Sequence, residues 1–147
     1  MRIVATVLLS ASLLFGFAAC TGKDAVFHTI QSVYDGFSVD TISEIKVING
    51  TTGDRLTITD KEQIKEIFDP FSKLSIKDTE QPKEVADGYT YGITFYNGDE
   101  EVIGISYGAV VTDQLLINRH LYIVEDGSVI QSAIDYFDAY FGEHEEE

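Results

Sequence analysis

Tyr89-Thr90-Tyr91-Gly92-Ile93-Thr94-Phe95-Tyr96-Asn97-Gly98 is the stretch on which the fold turns. Tyr89, Tyr91, Ile93 and Phe95 alternate with Thr90, Gly92, Thr94 and Tyr96, the two-residue period of a strand with one buried face. Past Asn97-Gly98 the alternation resumes, with Ile103, Ile105 and Tyr107 set against Val102, Gly104 and Ser106. Asn and Gly both tolerate positive φ, so the pair between two alternating runs predicts a tight hairpin. That hairpin is expected in the middle of a sheet.

Upstream, Ile45 and Val47 alternate with polar residues, as do Leu56 and Ile58. Asn49-Gly50-Thr51-Thr52-Gly53-Asp54 between them is a turn cluster, which predicts a second hairpin. Asp60 followed three residues later by Gln63 forms a capping box, and Ile64, Ile67, Phe68 and Phe71 make one apolar stripe behind it. Pro70 lacks an amide hydrogen and disfavours helix at Asp69, so this helix is expected to end or kink there. Leu74 and Ile76 then suggest a short strand, ahead of the polar loop Asp78 to Gly88.

Downstream, Leu115 to Ile117 and Leu121 to Val124 read as a strand pair closed by Asn118-Arg119-His120. Ser128, with Gln131 in the box position, is expected to cap a final helix whose buried face is Ile130, Ala133, Ile134, Phe137, Tyr140 and Phe141. Gly142 is expected to end it at C′, leaving Glu143 to Glu147 as a frayed acidic tail. The order hairpin, helix, strands, helix predicts an α+β fold over residues 41–142: an antiparallel β-sheet built from hairpins, with two main helices packed on one face.

The N-terminus carries different information. Arg2, an apolar run from Ile3 to Phe17, and the small residues Ala18 and Ala19 before Cys20 follow the order of an export signal. The run is too short to span a bilayer, which takes about 20 apolar residues. Phe17-Ala18-Ala19-Cys20 resembles the lipobox of bacterial lipoproteins, with Phe17 where that pattern usually has Leu. The resemblance implies a signal peptide over 1–19 and a diacylated Cys20 as the first mature residue. Residues 20–40 would then hold the lipidated Cys, a short tether (Thr21 to Asp24) and an arm in which Val26, Phe27, Ile30, Val33, Tyr34 and Phe37 recur near helical spacing. Cys20 is the only cysteine, so no internal disulfide can form and the domain must stand on its core.

Taken with the lipobox, the runs Ile45 to Gly53, Ile58 to Ile64 and Gly88 to Tyr96 resemble small lipoproteins of Gram-positive bacteria that carry a domain of unassigned function. These runs are structural punctuation. The resemblance therefore implies an extracytoplasmic, lipid-anchored location at the cell membrane and an α+β fold, and transfers no active site.

The chain holds 25 acidic and 10 basic residues, and loss of Arg2 with the leader leaves an excess of 16 negative charges. No basic stripe is available for nucleic acid, and an anionic bilayer surface would repel the body that hangs from the anchor. Gly104-Ile105-Ser106-Tyr107-Gly108 matches the G-x-S-x-G pattern, with Asp113 and His120 downstream. A nucleophile elbow needs a sharp strand-to-helix turn, whereas Ser106 sits inside an alternating strand, so a serine hydrolase is the weaker reading. His28, His120 and His144 lack metal-ligand spacing, and Asp99-Glu100-Glu101 and the acidic tail lack the form of a calcium loop; no metal or cofactor is expected. Tyr89, Tyr91, Phe95 and Tyr107 on one sheet face, with Tyr96 on the other, are the candidate binding surface, with core packing as the competing reading. The resulting expectation is a non-enzymatic module for a protein or peptide partner, with a small-molecule sensor or carrier as a further alternative.

Overall fold

The computed structural model describes residues 26–79, 88–108 and 113–144. The expected leader 1–19, Cys20, the tether, most of the Asp78 to Gly88 loop, Ala109 to Thr112 and the last three tail residues lie outside them. In chain order the elements are β1 (His28–Thr29), α1 (Ile30–Val33), β2 (Glu44–Asn49), β3 (Arg55–Ile58), α2 (Lys61–Lys73) and β4 (Ser75–Asp78). Then follow β5 (Tyr91–Asn97), β6 (Glu100–Tyr107), β7 (Gln114–Ile117), β8 (His120–Val124), a 3-10 turn (Gly127–Ile130) and α3 (Gln131–His144). The described strands form one eight-stranded antiparallel sheet in the order β1-β4-β8-β7-β6-β5-β2-β3, an α+β fold with two main helices.

The β5–β6 hairpin lies inside the sheet, as its alternation predicts. Its turn is displaced by one residue from the expected one. Asn97 pairs with Glu100, so Gly98 and Asp99 form the two-residue loop, and only Gly98 has positive φ (60°). That is the sign pattern of a II′ turn, which asks for Gly at its first centre and nothing special at its second. Between Phe95 and Tyr96 the register shifts, Phe95 facing Ile103 and Tyr96 facing Glu101, so Val102 is the extra residue of a bulge. The β7–β8 turn is tighter than expected: Asn118 (φ 49°) and Arg119 (φ 67°) form it alone, and His120 already belongs to β8.

Asp60 caps α2 as expected, its Oδ1 accepting from the backbone N–H of Glu62 at 3.1 Å and of Gln63 at 3.0 Å. Of the two expected outcomes at Pro70, an end to the helix does not occur, and α2 runs on to Lys73 with Pro70 inside it. An interior proline costs about 3 kcal/mol. Burial of Phe71 and Leu74 immediately beyond it, at about 1.5 to 3 kcal/mol each, offsets that cost and holds the last turn in place. The cap of the final helical segment is Asp126 and not Ser128. Asp126 Oδ1 accepts from the Ser128 backbone N–H (2.9 Å) and hydroxyl (2.6 Å), which holds its carboxyl below the usual range, the hydroxyl bond being the larger cause. Gly142 likewise does not stop α3; it stays helical without positive φ, next to the buried Phe141, and the helix continues to His144.

β2, β5, β6 and β7 send Ile45, Val47, Ile93, Phe95, Ile103, Ile105, Leu115 and Ile117 to one face. Ile64, Ile67, Phe68 and Phe71 of α2, with Ala133, Ile134, Phe137 and Phe141 of α3, close over them. The N-terminal arm belongs to the same core: Ile30 and Phe37 are fully buried, and His28–Thr29 pairs with β4. On the opposite face Gly92, Thr94, Gly104 and Ser106 are half-buried, and Leu116 and Leu121, paired across β7–β8, form a small second cluster.

The backbone at Tyr89-Thr90, just ahead of β5, is clamped by two glycines. A Cβ at Gly50 would lie 1.8 Å from the Tyr89 carbonyl oxygen, and the Gly50 N–H donates to the Thr90 carbonyl at 2.8 Å. A Cβ at Gly108 (φ 79°) would lie 2.3 Å from Thr90 Oγ1. Gly50→Ala is therefore expected to destabilise the protein by about 1 to 3 kcal/mol through overpacking. Arg119→Gly should act in the opposite direction, by about 1 kcal/mol, because it relieves a left-handed non-glycine residue in the β7–β8 turn. Urea unfolding of both variants beside the parent measures the two signs.

Candidate functional site

The residues singled out from the sequence do not form one surface. Tyr91 and Phe95 are buried beneath the helices: Tyr91 stacks on Phe141 at 5.8 Å and meets Phe137 edge-on, and its hydroxyl donates to Asp138. Tyr107 is half-buried at the rim of the same core. Tyr89 precedes β5 and stays 38 % exposed, with its ring over Gly92 on the opposite face. Tyr96 is on that opposite face too, where the Lys46 ammonium sits 4.5 Å from its ring centre and 2.9 Å from Glu44.

Ser106 and His120 are not brought together. Ile105 pairs with Ile117, and Ile117 with His120, so these three share the helix-covered side, while Ser106 lies between Gly92 and Leu116 on the other. The partner of His120 is Asp78, with Nε2 to Oδ1 at 2.7 Å. His28 is an exposed residue of β1. Among the described residues no group of three or more His, Cys, Asp or Glu side chains is arranged to hold a metal ion. No helix among them is long and apolar enough to cross a membrane.

Two arrangements absent from the sequence reading appear instead. The first is a groove of about 520 Å³ on the outer side of the helix layer, a size in the range of ligand sites. From α2, Gln63, Glu66, Asp69, Pro70 and Lys73 form one wall, with Ile67 at its base. The facing wall is Val129 of the 3-10 turn with Ser132, Ala133 and Tyr136 of α3. Most of these residues border the apolar stripes of the two helices, while Ile67 and Ala133 belong to the core as well. Val129, 37 % exposed, is one of four large apolar side chains left in the open among the described residues. Pro70 was visible in the sequence as a helix breaker. Its place on a groove wall depended on the helix continuing past it.

The second arrangement fastens the arm. The Tyr34 and Tyr122 hydroxyls are 2.9 Å apart, their rings meet edge to face at 6.3 Å, and the His120 ring lies 4.8 Å from that of Tyr122. Burial, and next the hydrogen bond with Tyr122, pushes the Tyr34 phenol well above its ordinary value of 10.0. The folded state therefore favours neutral Tyr34. This contribution is complete below the unfolded phenol's pKa near 10 and declines as pH rises beyond it. Tyr34→Phe should accordingly flatten the loss of stability above about pH 10, read as urea midpoints at pH 8, 10 and 11. Equal slopes for parent and variant would remove Tyr34 from this role.

The chain matches no family model, and searches of curated proteins and of solved structures likewise return no match.

Proposed function

We propose that this chain is an extracytoplasmic lipoprotein, held at the cell membrane through lipid on Cys20, whose domain is a non-enzymatic module for a protein or peptide partner. The anchor rests on the lipobox-like Phe17-Ala18-Ala19-Cys20 at the end of an apolar leader. Two or three acyl chains hold a protein on a bilayer stably where one does not. The binding role rests on the groove between α2 and α3, a concave surface of about 520 Å³ lined by both apolar and polar side chains. The separation of Ser106 from His120 favours binding over hydrolysis.

Growth in labelled palmitate tests the anchor. Label is expected on the parent protein and not on Cys20→Ala, which should leave the membrane fraction. A benzophenone side chain placed at Val129 tests the groove in intact cells, with Thr57 of β3 as the control position. A discrete adduct at Val129 and none at Thr57 is expected, and adducts of equal yield at both would remove the groove from the proposal.

A further inference from the structure

We infer that the groove between α2 and α3 selects a short segment of a partner protein in which lysine or arginine side chains flank an apolar one. The inference rests on the groove being the binding surface, and adds the chemistry of what enters it. Three observations point to that chemistry.

Part of the lining is apolar. Ile67 at the base, with Pro70, Val129, Ala133 and the Tyr136 ring on the walls, offers an aliphatic or aromatic side chain a place out of water.

The α2 wall accepts hydrogen bonds. Glu66 and Asp69 place two carboxylates along it, three residues apart and hence neighbours on the helix surface. Pro70 brings no N–H to the Glu66 carbonyl one turn earlier, so a backbone acceptor loses its usual helical donor at the same place. Lysine and arginine donate hydrogen bonds and carry the complementary charge, and bonds from them to carboxylates are about twice as strong as neutral ones.

The opposite wall supplies no cation to compete. From residue 120 to 147 the chain contains no Lys or Arg and eight Asp or Glu. Asp135, on α3, already accepts from Gln131 at 2.7 Å, one turn earlier. Among the described residues, Lys73 is the one cation on the lining, and it stands at the C-terminal end of α2, where a positive charge is favoured by the helix dipole. The cationic side chains of the incoming segment therefore belong at the Glu66 and Asp69 end. The same excess of negative charge turns away phosphates, nucleic acid and anionic lipid.

The test uses the full chain in non-ionic detergent micelles and three fluorescein-labelled hexapeptides, alternating leucine with lysine, leucine with glutamate, and serine with lysine. In fluorescence anisotropy the leucine–lysine peptide is expected to bind at least tenfold more tightly than the other two. The double variant Glu66→Lys with Asp69→Lys should lose at least tenfold. The matched reversal Glu100→Lys with Glu101→Lys, on the β5–β6 hairpin, should lose less than twofold. A benzophenone on the leucine–lysine peptide should mark Val129 or Tyr136 of the parent protein, which gives an answer even if a double variant fails to fold. Equal losses in the two double variants, equal binding of the serine–lysine peptide, or adducts on the hairpin would overturn the inference. Preference of the groove for the leucine–glutamate peptide would overturn it while leaving the groove as a binding surface; no peptide reaching the groove would overturn both.

Discussion

Four phenylalanine rings tie together three parts of the chain that are far apart in sequence. Phe95 of β5 lies 5.0 Å from Phe37 of the arm, 6.3 Å from Phe68 and 5.7 Å from Phe71 of α2, each nearly edge-on, and Phe37 and Phe68 are themselves 4.5 Å apart. Edge-to-face pairs of this kind add about 0.5 to 1.5 kcal/mol beyond the area they bury. With one cysteine in the whole chain, no disulfide can share this task. The same rings fix where α2 sits on the sheet. They therefore place one wall of the groove, while Phe137 and Phe141 packed on Tyr91 place the other.

Much of the fold was legible because its signals are local. Two-residue alternation in β2, β3, β5 and β6 and the Asp60 cap depend on neighbours in sequence, and each appears where those residues place it. The misreadings arose where tertiary packing outweighed a local rule. Pro70 and Gly142 are breakers in isolation, yet buried Phe71 and Phe141 lie next to them and carry the helices past. Asp126 took the capping position from Ser128 by binding both its N–H and its hydroxyl.

The site was hardly legible at all. Tyr34 and Tyr122 are 88 residues apart, and nothing in either segment announces the other. The groove is built from the residues of two amphipathic helices that border their apolar stripes, and a periodic pattern identifies the stripe without saying which border will face another helix. The tyrosines that drew attention in the sequence divide between core and the opposite face, because Tyr89 lies ahead of the strand and escapes its alternation.

The order of the strands bears on how the chain reaches its native state. β5, β6, β7 and β8 follow one another in sequence and in space, so they can assemble as a meander through short loops. The earlier strands cannot. β2 needs β5, and β4, although β1 lies beside it, needs β8, so the hairpin of residues 44–58 and the β1–β4 pair have no place in a larger sheet until the later half of the chain is present. A chain made N-terminus first thus holds its first half incomplete, with α2 already able to wind but without most of the surface it covers. β8, the last strand made, is the one that joins the β1–β4 pair to that meander, so the sheet is complete only when nearly the whole chain is present.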